Sequence, residues 1–190
     1  MSTENWVILG VAIAVTLYFI TLYNGLVSLK HNVTKAWANI DVLLKQRHDE
    51  LPKLVAACKE VMKFEQDTLE KVIRARSGVA SARQSGNVKA VGRAETTLRA
   101  GLGNLFALAE SYPELKSNES FQQLQSRISS LENTIADRRE LYNETVNNNN
   151  VRIEQFPDVL IASRFNFKAA DLLEFAEAEL KDVNIAKLFN

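Results

Sequence analysis

The stretch WVILGVAIAVTLYFITLY, Trp6 to Tyr23, decides the architecture of this chain, and it leads into YNGLVSLKHNVTKAWANIDVLLKQRHDELPKLV, Tyr23 to Val55. The first stretch contains no charged residue and no proline. As an α-helix it rises about 27 Å, close to the hydrocarbon thickness of a bilayer. Aromatic rings that favour the membrane interface stand toward its ends, at Trp6, Tyr18 and Tyr23. The stretch therefore predicts a membrane-spanning helix.

A cleaved signal peptide and a buried core helix are the alternatives to a membrane span. A signal peptide has a positively charged segment before the apolar run and a small-residue cleavage site after it. Here the preceding MSTEN has one charged side chain, Glu4, and the following YNGLVSL offers no such site. A core helix of a soluble protein is rarely apolar on every face. A retained anchor is favoured.

The basic residues around the span predict its orientation. No Lys or Arg precedes it, whereas Lys30, Lys35, Lys45 and Arg47 follow it. The positive-inside rule then places residues 1–5 outside as a short extracytoplasmic tail and the bulk of the chain in the cytoplasm. Lys30 and Lys35 are explained equally well as contacts to anionic lipid headgroups and as a solvated helix face.

Composition narrows the class of the remaining chain. The 190 residues, less the anchor, predict about one domain. Lys and Arg number 23 and Asp and Glu number 23, and this neutral balance argues against a nucleic-acid partner. The single cysteine, Cys58, excludes an intrachain disulfide and sits among apolar residues at helical spacing, as a core residue does.

Apolar residues recur every three or four positions in four segments after the span. The first segment runs on from the span to Pro52, which either kinks one long helix or separates two; we expect a tight reversal there. The second is predicted from about Leu51 to Arg83, and the third from Val88 to Ser111. The fourth has the most regular spacing, at Phe121, Leu124, Ile128, Leu131, Ile135, Tyr142 and Val146.

These segments predict an all-α fold. A single N-terminal transmembrane helix at residues 6–23 is followed by an up-and-down antiparallel four-helix bundle at 24–155, because short connections favour antiparallel neighbours. Residues 156–190 form an aromatic connector and an acidic tail with a short C-terminal amphipathic helix. The apolar stripe of that tail is a candidate oligomer contact and contains Leu172, Phe175 and Leu180.

Several long strings in this chain resemble the LemA family. They are YNGLVSLKHNV, AWANIDVLLKQRHDELPKLV, YPELKSNESFQQLQSRISSLENTIADRRELYNETV and NVRIEQFPDVLIA, in order from Tyr23 to about Ala162. The resemblance implies one N-terminal span, a cytoplasmic four-helix bundle and a bacterial inner-membrane location, with no established enzymatic activity. Such proteins occur in the contexts of envelope stress, membrane proteases and magnetosome membranes. Asn149 departs from the pattern, which more often has an aromatic residue there.

No motif of catalysis, cofactor binding or metal binding stands out. His31 and His48 have no second ligand at the spacing of helix-borne zinc sites. A phosphate-binding glycine loop, a nucleophile elbow and a cysteine–histidine pair are all missing from the sequence. We therefore expect no catalytic residue, no cofactor and no metal.

A polar cluster late in the first segment is the best candidate for an interaction site. It comprises Asn39, Asp41, Lys45, Gln46, Arg47, His48 and Asp49. Asp41 and Lys45 have the spacing of a helical ion pair. Buried hydrogen bonds that hold the helix register are favoured over recognition of a ligand or partner.

The predicted function is that of a non-enzymatic membrane scaffold that self-assembles and organises or shapes the membrane. Its predicted partners are the lipid bilayer and further copies of the chain. Gly10 and Ala14 support association of spans, because small residues one turn apart allow close helix approach. An adaptor for a membrane protease or an envelope-stress signalling protein is the alternative.

Overall fold

The computed structural model describes residues 3–175, and every regular element within them is helical. The elements are α1 (Thr3–Val61), α2 (Gln66–Gln84), α3 (Val88–Ala109), α4 (Pro113–Lys116), α5 (Glu119–Glu154) and α6 (Asp158–Arg164). The predictions of an all-α fold and of one long apolar N-terminal helix are confirmed. The chain divides into two compact units. Unit 1 combines Met1–Asn39 with Glu140–Asp171, and unit 2 combines Ile40–Arg139 with Leu172–Asn190.

The reversal expected at Pro52 is wrong, because α1 runs through that residue as one helix of 59 residues. A proline inside a helix removes the hydrogen bond to the carbonyl four residues earlier, here that of His48. Arg76 from α2 donates its Nε to the His48 carbonyl oxygen at 2.9 Å and replaces the lost partner. The chain turns instead at residues 62–65, where the Glu65 amide bonds the Met62 carbonyl at 3.1 Å. The second predicted helix accordingly begins at Gln66 rather than near Leu51.

The remaining helix ends follow the local signals in the sequence. Gly86 has a positive φ of 66° in the turn after α2, a conformation that glycine adopts readily. Asn87 then caps α3 by accepting from the Ala90 amide at 2.9 Å. Pro113 begins the short α4, and the Asn118 side chain caps α5 by accepting from the Phe121 amide at 3.1 Å.

Unit 1 is built on a pair of helical segments from α1 and α5. Its apolar core brings together Leu22, Leu26, Ile153, Ile161 and Ala162, with Phe167 packed against it. Farther along the two helices, the rings of Trp37 and Tyr142 lie 5.5 Å apart. α5 therefore returns along α1 within this unit.

The asparagine run before the end of α5 does not interrupt the helix. The side chain of Asn150 accepts from the Ala170 amide at 2.9 Å and donates to the Ala170 carbonyl at 3.0 Å. The Tyr142 hydroxyl likewise donates to the Asp171 carbonyl at 2.9 Å. These hydrogen bonds hold the segment after α6 against α5. Tertiary contacts of this kind compensate for the low helix propensity of asparagine.

Unit 2 holds the larger apolar core. Buried residues from the predicted helical faces meet in it, namely Leu54, Cys58, Leu69, Val72, Val79, Leu98, Leu102, Leu105, Phe121 and Ile128. Leu131, one of the regularly spaced apolar residues predicted for this helix, is only half-buried, whereas Ile128 and Ile135 are fully buried. The period of three and four residues thus located the correct face of α5, with Leu131 at its margin.

Up to residue 175, the tail differs from the amphipathic helix predicted for it. Residues 167–175 are irregular, and Leu173 is buried while Leu172 is exposed. Gly92 of α3 makes this path possible, because a Cβ on it would overlap the Glu174 carbonyl oxygen. Leu180 lies outside the described residues.

Candidate functional site

The surface of α1 from Thr3 to Thr21 is exposed at every residue, including Trp6, Gly10, Ala14 and Tyr18. One 18-residue window of α1 reaches a mean hydropathy of 2.1. A helix this long and this apolar, with so little of the window covered by the rest of the chain, is a candidate membrane span. At Gly10 an added Cβ would meet nothing within 4 Å, so this side of the helix is open to a neighbour.

The exposed run ends where unit 1 begins to cover α1. Leu22 and Leu26 are buried in the core of that unit. Tyr23 packs its ring edge-on against those of Phe165 and Phe167, with centroids 5.0 Å and 5.9 Å away. The end of the candidate span is therefore marked by an aromatic cluster within unit 1.

The structure brings together only part of the predicted polar cluster. Asp41, Lys45, His48 and Asp49 line a surface depression of about 370 Å³ in unit 2, where Asp41 accepts from Arg83 Nε at 2.7 Å. Gln46 and Asn39 are exposed outside this depression, and Asn39 belongs to unit 1. Burial, reinforced by the charge of Arg76, lowers the pKa of His48 and so favours its neutral imidazole.

Arg47 is the member of the cluster that points into the core. Its side chain is 1% exposed and pairs with Glu95 of α3, which is 0% exposed, and with Glu132 of α5. Arg99 Nε completes the group by binding Glu132 Oε2 at 3.0 Å. We call Arg47, Glu95, Arg99 and Glu132 the buried charge cluster. It ties three helices together with two positive and two negative charges.

Local periodicity explains why these charges lie inside. Arg47 occupies a core position of α1 between Leu44 and Leu51, and Glu95 does the same between Val91 and Leu98 of α3. Side chains three and four residues apart share one helix face, so each charge is carried inward with its apolar neighbours. Each then needs a partner, since an isolated buried charge is costly.

Electrostatics within the cluster are uneven. Burial alone lowers the pKa of Arg47, but the carboxylates of Glu95 and Glu132 outweigh this effect and raise it. Burial raises the pKa of Glu95, and the attraction of Arg47 only partly opposes this. Within residues 3–175, Glu95 Oε2 and Arg47 Nε have no hydrogen-bond partner. Glu95 is thus the member of the group whose negative charge is least well compensated.

The chemistry that this arrangement supports is structural. The cluster links α1, α3 and α5 in unit 2, because its paired charges come from all three helices. In the described part of the chain, no group of three His, Cys, Asp or Glu side chains is placed to hold a metal ion. Cys58 is buried, and burial raises its pKa to about 11, so its thiol is a poor nucleophile.

Sequence reasoning missed Glu95, Arg99 and Glu132, and it read Arg47 only as one of a run of polar residues. A signal for two of them was present. Glu95 and Arg47 interrupt apolar series at positions where the spacing demands a core residue. Glu132, next to Leu131, and the half-exposed Arg99 carried no such signal.

The candidate oligomer contacts in the tail have different environments. Leu172 is exposed, whereas Phe175 lies under two guanidinium groups, with Arg139 at 4.0 Å and Arg99 at 5.6 Å from its ring centroid. Such cation–π contacts hold Phe175 against its own chain. Of the described pair, Leu172 is the one open to a neighbour.

Comparison with known proteins identifies similarity over most of the chain. The profile described as the LemA family matches residues 36–186. Magnetosome protein MamQ 2 and Magnetosome protein MamQ 1 of Paramagnetospirillum magneticum (strain ATCC 700264 / AMB-1) are each 32% identical to the chain over 73 residues. That alignment covers 38% of this chain and 27% of either relative, so the chain matches little more than a quarter of their length.

Proposed function

Because the chain belongs to the LemA family, we propose that it is a non-enzymatic, single-pass scaffold of the bacterial inner membrane. Its first residues lie outside and its helical units lie in the cytoplasm, where copies of the chain assemble and organise or shape the membrane. The soluble helices form an up-and-down four-helix bundle in this proposal. The two similar proteins are both named as magnetosome proteins, which supports a role at a membrane.

The continuity of α1 is the observation that carries the proposal. This one helix begins with an exposed run free of Lys and Arg, and its last turns lie in the core of unit 2. The basic residues Lys30 and Lys35 follow the run, which supports a cytoplasmic location for what comes after it. A scaffold needs such a link between a bilayer and a folded protein surface.

Self-assembly is supported by two surfaces left open by the chain. Gly10 and Ala14 stand on one exposed face of the span, and Leu172 is exposed in the tail. Anchored copies also share one plane and one orientation, which raises their effective concentration. Weak contacts at two places are then sufficient for a multimer.

Crosslinking in native membranes tests the assembly. Gly10→Leu and Leu172→Ser should each reduce the multimer, and their combination should abolish it. Ala12→Leu is the matched control, because Ala12 lies in the same run but on another face of the helix. If the unaltered protein migrates as a monomer at every accessible concentration, the scaffold proposal is wrong, and the adaptor for a membrane protease or an envelope-stress signalling protein is favoured.

Topology is tested by thiol labelling in intact cells. A cysteine at Ser2 should react with a membrane-impermeant reagent, and one at the exposed Ser120 should not. Ser120 is preferred to Asn118, since the latter caps α5. The opposite labelling pattern would show that the orientation is reversed.

A further inference from the structure

The outer side of α6 and its flanking residues carry large apolar side chains that the chain leaves uncovered. Phe156 is 80% exposed, Leu160 is 54% exposed and Phe165 is 60% exposed. On the opposite side of α6, Ile161 and Ala162 are buried in the core of unit 1. We call Phe156, Leu160 and Phe165 the outward patch. An apolar patch of this kind on a short amphipathic helix marks an interaction surface.

Contacts within unit 1 fix the level of this patch along α1. The Phe165 ring packs on Tyr23, and Ile161 packs with Leu22 and Leu26. The exposed apolar run of α1 ends at Thr21, directly before these residues. Because α6 has only seven residues, it is about 10 Å long, and the whole patch lies close to the level at which α1 leaves its apolar run.

The exposed charges beside Phe165 are basic, and one acidic residue, Glu154, is exposed two positions before Phe156. Arg164 and Lys168 flank Phe165 and are both exposed. The one acidic residue of α6, Asp158, is buried and paired with Arg152 Nε at 2.8 Å. Aromatic and apolar residues bordered by cations match the interface of an anionic bilayer, where rings enter the headgroup layer and cations bind phosphates.

We propose that the outward patch inserts into the interfacial layer of the same bilayer that α1 crosses, with Arg164 and Lys168 on its anionic headgroups. This rests on the membrane anchoring put forward above and extends it, because the chain then touches the bilayer at a second, peripheral place. The patch is continuous with the span through the contact between Tyr23 and Phe165. It restrains the tilt and rotation of α1, since two points of contact determine an orientation that one leaves open.

Depth-dependent fluorescence quenching tests the inference on the full chain in vesicles containing anionic lipid. An environment-sensitive fluorophore is attached to Leu160→Cys, Leu141→Cys or Ile13→Cys, while the buried native cysteine stays unlabelled. Leu141 is the matched control: it is a leucine of unit 1, 48% exposed, on α5. It precedes Ile153, the α5 residue at the level of the patch, by about 18 Å of helix.

The expected result is a blue-shifted emission at position 160 that a nitroxide near the lipid headgroup quenches more strongly than one deep in the acyl chains. Position 141 should show neither effect, and position 13 should be quenched by the deep nitroxide. Replacing Phe156 and Phe165 by Ser should restore water-like emission at position 160. Deep quenching at 13 with no quenching at 160 overturns the inference and leaves the anchor intact. No quenching at 13 overturns both. A blue shift at 160 that no lipid nitroxide quenches means that a protein covers the patch, and this also overturns the inference.

Discussion

Removing Arg47 should destabilise unit 2 by an amount that depends on pH. Arg47→Met keeps most of the side-chain volume but deprives the fully buried Glu95 of its ion-pair partner, while Glu132 retains Arg99 at 3.0 Å. The stranded carboxylate is relieved by taking up a proton. From an ordinary pKa of about 4.3, holding this proton costs about 1.4 kcal/mol per pH unit, which sets an upper limit on the loss of about 3.7 kcal/mol at pH 7 and about 1 kcal/mol at pH 5. The loss is smaller by the part of this cost that the raised pKa of Glu95 already imposes on the parent. The limit at pH 7 lies within the cost of about 3–5 kcal/mol expected for breaking a buried ion pair.

Denaturant melts of the full chain in mild detergent, followed by circular dichroism at pH 5 and pH 7, measure these costs. Arg47→Met/Glu95→Leu should recover most of the loss at pH 7, because it removes the stranded charge as well as its partner. Arg74→Met is the control, since Arg74 pairs with Glu70 at the surface and should cost less than about 1 kcal/mol. An equal cost of Arg47→Met at both pH values, or a double variant no more stable than the single one, would refute the reasoning.

Three further results are expected. Gly92→Ala should destabilise the chain by about 1–3 kcal/mol, because its methyl group overlaps the Glu174 carbonyl oxygen. Gly103→Ala, on an open face of the same helix, should stabilise the chain by about 0.5–1 kcal/mol. Equal melting temperatures for the Gly92→Ala and Gly103→Ala variants would contradict the path of the tail. The raised pKa of Glu95 means that the folded state holds the carboxyl proton more tightly than the unfolded state does. The stability that this proton gives is complete below the ordinary pKa of glutamate and is lost as pH rises through the pKa of the folded state. The melting temperature of the parent relative to Glu95→Gln should therefore fall as pH rises above the ordinary pKa of about 4.3; a constant difference would argue against a buried, titrating carboxyl. Cys58, with its pKa raised to about 11, should react with maleimide at pH 7.5 only on unfolding, and rapid labelling of the native chain would show that this part of the core opens.

Much of the fold was predictable from local patterns. Turn and cap residues placed the start of α3 at Val88 and the break around Pro113, because a side chain such as that of Asn87 satisfies amides only a few residues away. Apolar spacing likewise located the buried faces of α3 and α5, since one side of a surface helix faces the protein core and the other faces water. Hydropathy alone identified the run that makes α1 a candidate span.

Pro52 shows where local reasoning fails. Proline at that position is compatible with a kink, a helix start or an uninterrupted helix, and the sequence around it does not distinguish them. The decision rests on Arg76, which lies on the next helix and supplies a donor for the His48 carbonyl. Only when α2 packs against α1 does the His48 carbonyl, which Pro52 deprives of its helical donor, gain this partner.

The candidate sites also separate into features that the local sequence determines and features that depend on the tertiary structure. The sequence by itself determined an all-helical chain, its apolar run and most of its core positions, because these depend on composition and on residues within a turn or two of each other. The tertiary structure alone decided that Arg47 meets Glu95 and Glu132, and that Phe165 lies on Tyr23. Those partners are separated by many tens of residues, and nothing in a helical period specifies which helix faces which. Charge pairing and aromatic contact are properties of the assembled helices, so they can be identified only once the packing of the helices is known.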